Sequence, residues 1–369
     1  MNKKIPFAGP SITQFEIDCV IDGVKDGFYD NFSGYIKKLE EEVCDYTGTK
    51  YSIATHSCTL ALYSACMGLD LQKGDEVICT DLSWAATSFA IDYTGATPVF
   101  VDIDPDTWCI SPEAIESAIT EKTKAIMLVH MFGHPARMDK IMDIADRYNL
   151  KVIEDAAPAM GSTFKEKQVG SFGDYGCFSF HGAKLTVSGQ GGILVTNDEE
   201  LYKKAYLFSN MGRTNREADF WCDVVGHQHA MANVTASLAY AQVKRIEELI
   251  EIKHNIFSMY QERLGDIDSI KLITQQEDCF SNYCYPSLIL NDNVTIEREE
   301  ILNRLADLNI HCRGSFPRMS RFPMHEQRFT NPVATKVEEK GMNLPSPANM
   351  AEEDINFVCE SLTKIIKRG

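Results

Sequence analysis

The chain has 369 residues, 44% hydrophobic and 24% charged, enough to bury a sizeable core and more than one minimal domain needs. Its formal net charge of −17 argues against a nucleic-acid partner, because binding a phosphate backbone needs a basic surface. An anionic small substrate therefore requires a locally basic pocket. No apolar run approaches the roughly 20 residues of a membrane span, so no membrane partner is expected. The start "MNKKIPFAGPSITQFE" has two lysines but no apolar stretch behind them, unlike a secretory signal, so the expected location is the cytoplasm. The 12 cysteines form no CxxC pair, and Cys66, Cys79 and Cys177 lie in apolar runs. They read as reduced, mostly buried small hydrophobes, with neither a disulfide framework nor a metal site.

In chain order, short apolar runs mark strands at Tyr51–Thr55, Glu76–Cys79, Pro98–Ile103, Ala125–Met131, Lys151–Glu154, Tyr175–Phe180 and Gly192–Thr196. Amphipathic stretches at Ser57–Leu69, Pro112–Ala118, Arg137–Tyr148 and Glu199–Ser209 lie between or after them. Strands interleaved with helices predict βαβ units and a mostly parallel sheet of seven strands covered by helices on both faces, an α/β fold. After Met231, a long helical pattern with room for one break suits a bridge between domains. From about Ile270, the texture changes to that of a small α+β domain. The expected division is a large domain over residues 1–250 and a small C-terminal domain over 251–369, with the N-terminal segment able to pack on the latter.

Ligands of open α/β sheets bind beyond the carboxyl ends of the strands, and four strand ends carry chemistry here. In "THSCTLAL", a strand leads through Ser57, Cys58 and Thr59 into a helix, whose first N–H groups and hydroxyls suit a phosphate. A plain N-cap explains the same residues. In "DLSWAATS", Trp84 offers a flat face at a strand end, although a core tryptophan is the commoner case. In "VIEDAAPAMGS", Glu154 and Asp155 end a buried strand, and alternation sends one to each face of the sheet. A carboxylate held there needs a cation: a metal, an arginine or a protonated ring nitrogen, and a structural ion pair is the competing reading. In "SFHGAKLTVSGQGG", Lys184 sits on a glycine-rich turn with Ser179 and His181 before it. An amine, an anion cradle, a stacking aromatic and a strand-end acid together are the parts that pyridoxal 5'-phosphate (PLP) requires.

With those residues in place, the sequence resembles the DegT-like sugar-nucleotide aminotransferases, a group of fold-type I PLP enzymes. The resemblance runs along essentially the whole chain, through "TGTKYSIATHSCTLAL", "GATPVFVDIDPDTWCI", "HMFGHPARMDKI", "VIEDAAPAMGS", "FSFHGAKLTVSGQGGILVTND" and "GMNLPSP". It implies that Lys184 is the Schiff-base lysine and proton shuttle, that Asp155 pairs with the pyridine nitrogen, and that Trp84 stacks on the ring. It also implies that Ser57, Cys58, Thr59 and Ser179 lie where the phosphate binds and that His181 stands beside the lysine as a catalytic helper or a residue that only shapes the turn. The cofactor passes through its pyridoxamine form during turnover. Family members form homodimers that share their active sites, which would carry "GHQHAM" (Gly226–Met231), with Gln228 and His229, to the neighbour's cofactor.

The chain departs from the family at several positions. Cys58 replaces a usual glycine, Pro158 a usual Gln, His or Glu, Ala230 a usual arginine, and Gln190 a usual acid. The five positions from Lys184 to Gly189 match the spacing of members that aminate 4-keto sugars. The resemblance thus implies L-glutamate as donor and a nucleotide-linked 4-keto-6-deoxy sugar as acceptor, with the amino sugar destined for surface glycan or polysaccharide. In "CRGSFPRMSRFPMHEQR", Arg313, Arg318, Arg321 and His325 form a basic cluster expected to hold the diphosphate, with a solvated loop as the alternative. Two further readings remain open at this stage: a non-catalytic PLP-binding regulator, or an enzyme of the same fold acting on a 3-keto sugar, a cyclitol or a deoxygenation step.

Overall fold

The computed structural model describes residues 3–213 and 221–368. The chain enters through two helices, α1 (Gln14–Lys25) and α2 (Gly34–Thr47), in a segment for which the sequence analysis set out no elements. The signal for α1 was there: Thr13 and Glu16 form a capping box at its start. Its apolar pattern was uninformative because Phe15, Ile17, Ile21 and Val24 face outward, not toward a core.

The first five strands are β1 (Tyr51–Thr55), β2 (Glu76–Thr80), β3 (Thr97–Val101), β4 (Thr123–Val129) and β5 (Lys151–Asp155). A short hairpin of β6 (Thr163–Phe164) and β7 (Lys167–Gln168) precedes β8 (Tyr175–Ser179) and β9 (Gly192–Thr196). The seven longer strands form one sheet in the order β1-β9-β8-β5-β4-β2-β3. Neighbours from β3 to β8 pair in parallel, whereas β9 is antiparallel to both β8 and β1. The reversal has a plain cause. Residues 180–191 join β8 to β9 as a hairpin, with no crossover helix to bring the chain back in the same direction.

The helices α3 (Cys58–Gly68), α4 (Ala86–Asp92), α5 (Pro112–Ala118), α6 (Met138–Tyr148) and α7 (Glu199–Ser209) cover both faces of the sheet. Along β4, Ala125 and Met127 pack on the side of α3, and Ile126 and Leu128 on the side of α5 and α6. That is strand alternation with an apolar layer on each face, which is why the strands read as continuous apolar runs. In α6 the buried residues Met138, Ile141, Ile144 and Ala145 keep helical spacing. Each large aliphatic side chain so buried contributes about 1.5–3 kcal/mol.

The helical run after Met231 is broken once, at Arg245, where α8 (Asn233–Lys244) ends and α9 (Ile246–Leu264) begins. Arg245 has left the helical conformation (φ −105°, ψ 13°). α9 packs Leu249 and Ile250 into the large sheet's core and Ile256, Tyr260 and Leu264 into a separate one. That second core surrounds an antiparallel sheet, β10-β12-β14-β13, made of β10 (Ile270–Leu272), β12 (Ser287–Leu290), β13 (Arg313–Gly314) and β14 (Gly341–Asn343). The intervening β11 (Cys279–Phe280) pairs instead with β6. The helices α10 (Arg298–Asp307) and α12 (Glu352–Arg368) and the N-terminal residue Ile5, bridged to Ile310, complete this core; α11 (Pro332–Lys340) packs Ala334 and Val337 against the large sheet's core.

Candidate active site

A cavity of about 440 Å³ opens at the carboxyl ends of the parallel strands, where β1, β4, β5 and β8 pass into loops. At the end of β1, Ser57 caps α3 by accepting the Leu60 N–H at 3.3 Å. The plain N-cap and the anion cradle are therefore one structure, with Cys58 and Thr59 on the first turn lining the cavity. Gly192, at the start of β9, presses directly on the Cys58 backbone and leaves no room for a Cβ. Burial pushes the Cys58 thiol well above its ordinary range, so it is a neutral, space-filling wall.

At the end of β5 the two acids part. Glu154 turns to the far face, where it accepts N–H groups of Gly170, Phe172 and Gly173 at 2.7 Å and meets His130 Nε2 at 2.9 Å. His130 Nδ1 accepts the Ala136 N–H, so its proton sits on Nε2 and points at Glu154. Glu154 is thus fully employed in structure. Asp155 faces the cavity, with Oδ2 accepting the Thr87 hydroxyl at 2.7 Å and Oδ1 the Ala157 N–H at 3.1 Å. Burial pushes its carboxyl above the usual range, and the bonds from Thr87 and Ala157 and the nearby Lys184 charge pull the other way. A carboxylate in that position is stabilised by any cation brought against it.

Lys184 rises from the β8–β9 hairpin into the same cavity. The hairpin closes through Phe180 N–H to Gly191 O at 2.9 Å and Ser188 N–H to Phe180 O at 2.7 Å. Gly189 (φ +82°) and Gly191 (φ +148°) supply backbone that other residues resist. The Tyr285 hydroxyl donates to Ala183 O at 2.7 Å, and its ring centroid lies 5.8 Å from Lys184 Nζ. Ser179 and His181 also line the cavity, with Ser179 Oγ accepting the His181 N–H at 3.2 Å. Trp84 stands at the rim, 64% exposed, its ring 6.2 Å from Phe316.

The basic cluster is not brought to this cavity as expected. Arg313 lines it, with its guanidinium 4.4 Å over the Phe7 ring. Arg318 is buried against Asp81 and Glu338 and donates to Thr330 O, and Arg321 pairs with Glu338 at 2.8 Å. His325 is bound between Met319 O and Asp92, both at 2.8 Å. In so acidic a chain Arg318 and Arg321 have found carboxylates of their own, and Arg318 and His325 tie the 318–325 loop to Asp81 and Asp92. His229 is likewise buried, 2.9 Å from Ser64 Oγ and packed on Tyr63 and Phe208. Burial lowers its pKa to about 4, so it stays neutral. Gln228 is exposed in a bridge with Asn210 and does not line its own chain's cavity.

Sequence reasoning missed Thr87, Tyr285 and Phe132. Thr87 lies one helical turn beyond Trp84, the spacing that could have revealed it. Tyr285 lies in the loop before β12, packs in the large sheet's core and had no local signal.

The donors fit PLP: an amine in the cavity, a buried carboxylate that forms no ion pair among the described residues, and a capped helix start approached by a glycine. The comparisons with known proteins agree. Residues 10–363 match the DegT/DnrJ/EryC1/StrS aminotransferase family. The chain belongs to this family. It is 36% identical over 363 residues to the GDP-perosamine synthase of Escherichia coli O157:H7, covering 98% of both chains. The aminotransferase of Psychrobacter cryohalolentis superposes with a TM-score of 0.92 at 28% identity, covering 98% of this chain and 99% of the other. The PLP form of a putative sugar aminotransferase from Streptococcus pneumoniae does so at 0.92 and 26%, covering 99% of each. This DegT-family chain is an aminotransferase of the fold-type I class, and PLP is the cofactor of that chemistry.

Proposed function

We propose that the protein moves an amino group from L-glutamate to a nucleotide-linked 4-keto-6-deoxy sugar, making an amino sugar for surface glycan or polysaccharide. One observation carries the reading: Lys184, Asp155, the start of α3 and Trp84 meet in one cavity from four separate strand ends. The sugar is supported by the name of the Escherichia coli relative and by the five-position spacing from Lys184 to Gly189.

Bound PLP supplies a carbonyl carbon that takes the donor's amine and a ring that takes up carbanion charge. Asp155 holds a proton on the ring nitrogen, aided by Thr87. The N–H groups at the start of α3, with Thr59 and Ser179, hold the phosphate, and Trp84 covers the ring. With the donor bound, Nζ of Lys184 would be the group that takes and returns the proton at the substrate carbon. His181, beside it, steadies the turn. Arg313 faces the acceptor's diphosphate from the mouth of the cavity, which Phe316 also lines. Pro158 contributes only its ring to the wall, because its carbonyl accepts from Asn282 Nδ2 at 3.0 Å.

A second copy of the chain completes the assembly in this reading. Its occupant surface is the outward apolar face of α1 together with the exposed Trp221–Val225 stretch that leads to Gln228. Among the described residues, no helix is long and apolar enough to cross a membrane, and we place the homodimer in the cytoplasm. The test is a spectrum of the purified holoenzyme before and after L-glutamate, then incubation with nucleotide-linked 4-keto and 3-keto sugars. A visible band that converts with glutamate and returns only with a 4-keto sugar is the expected result. Return with the 3-keto sugar alone would overturn the acceptor, and no conversion would overturn the donor.

A further inference from the structure

Gln242, on α8, is fully buried and lies outside the cavity. Its amide makes bonds in three directions. Oε1 accepts the Val187 N–H at 3.3 Å, three residues beyond Lys184 on the hairpin. Nε2 donates to Ser11 O at 2.9 Å and to Glu16 Oε1 at 2.6 Å. Glu16 is itself fully buried and is held by Arg245, by the Thr13 hydroxyl at 2.5 Å and by the Thr13 N–H at 2.8 Å. Arg245 closes the network on Ser11, through its carbonyl at 3.3 Å and its hydroxyl at 3.0 Å. Burial alone would raise the Glu16 carboxyl, but Thr13 and Arg245 outweigh it and keep the group below its usual range.

Two hydrogen bonds tether the hairpin's backbone on either side of Lys184, and the Thr186 hydroxyl adds a weaker contact to Met160 Sδ at 3.7 Å. Tyr285 holds Ala183 O in front of the lysine, and Gln242 holds the Val187 N–H behind it. The second tether runs to the N-terminal arm, residues 11–16, through a buried amide whose two N–H donors are both used. A buried amide with its donors spent cannot rotate without stranding polar groups, so the hairpin's position is set by where the arm sits.

We propose that Gln242 is a positioning residue for the reaction: with Glu16 it locks the lysine hairpin to the N-terminal arm and so sets the reach of Lys184 into the cavity. The inference rests on Lys184 being the amine that engages the cofactor, which Lys184→Ala tests separately by loss of the visible band. Misplacement of a reacting group by about 1 Å costs roughly 10²-fold in rate. In the holoenzyme, Gln242→Leu should lower kcat on that scale, leave the KM for glutamate nearly unchanged, and move the pH midpoint of the visible band. Gln242→Glu alone brings a second carboxylate against Glu16 and should behave as badly. The exchange Gln242→Glu with Glu16→Gln restores a carboxylate–amide pair beside Arg245 and should recover much of both readouts.

A Gln242→Leu holoenzyme with wild-type kcat and band midpoint would overturn the proposal, even if it melts at a lower temperature. If Gln242→Leu does not fold, the exchange decides. Recovery of the band midpoint over Gln242→Glu alone supports the tether; a folded exchange variant whose midpoint stays displaced refutes it.

Discussion

Thr87→Val is the most direct probe of how the cavity manages its buried acid. The substitution keeps the side-chain shape and removes the hydroxyl that donates to Asp155 Oδ2 at 2.7 Å. Asp155 then keeps the Ala157 N–H on Oδ1, while Oδ2 loses its donor in a fully buried setting. A hydrogen bond to a charged group contributes about 1.5–3 kcal/mol. One pH unit corresponds to about 1.36 kcal/mol, so the ionised form loses the equivalent of about one to two units. The sign follows from which form is stabilised. The hydroxyl favours the carboxylate, so its removal raises the pH needed to keep Asp155 ionised. Activity that depends on the carboxylate should fail earlier on acidification, and the acid limb of kcat/KM should move upward by about one to two units. The Ser83 hydroxyl lies 3.0 Å from that of Thr87, and Ser83→Ala serves as a milder control. The assay is the pH–rate profile of the two variants against wild type, with melting curves to confirm an intact fold. An acid limb that stays in place in a folded Thr87→Val enzyme would refute the assignment of Asp155 as the ionised partner of the cofactor.

Lys184→Ala should abolish turnover and the visible band while retaining the fold, because the side chain is half-buried at the cavity and not part of the core; normal activity would remove Lys184 from its assigned role. Gly192→Ala should lose PLP affinity, since a Cβ there collides with the Cys58 backbone and must displace the start of α3; equilibrium dialysis against PLP reads the loss. Lys253 is buried on Ser346 with its pKa lowered by burial to about 8. The unfolded chain binds that proton up to the ordinary lysine range and the folded chain does not, so Lys253 adds stability as pH rises above about 8. The melting temperature of Lys253→Met should therefore exceed wild type by most below pH 8, with the gap narrowing as pH rises; an unchanging gap would contradict the burial argument.

The sequence by itself determined the βαβ framework and the cavity's main groups. Strands buried on both faces are continuous apolar runs, and such runs are legible without partners: Tyr51–Thr55 and Gly192–Thr196 were read to the residue. Strand ends follow from strands, so position pointed to Ser57, Trp84, Lys184 and the acid pair Glu154 and Asp155, all but Glu154 of which line the cavity. Tertiary structure decided the rest. Only strand pairing shows that β9 runs against its neighbours, which makes the lysine segment a hairpin. Only packing separates Glu154 from Asp155, because alternation says that they part and not which face holds the cavity. The basic cluster misled for a related reason. Charge in a sequence does not disclose its partners: Arg318 and His325 meet Asp81 and Asp92 from distant parts of the chain, and Arg321 meets the nearer Glu338. Local pattern carries periodicity and strand-end chemistry; the pairing of charges and amides such as Gln242 with Glu16 is set by contacts hundreds of residues apart, and only the folded chain reveals them.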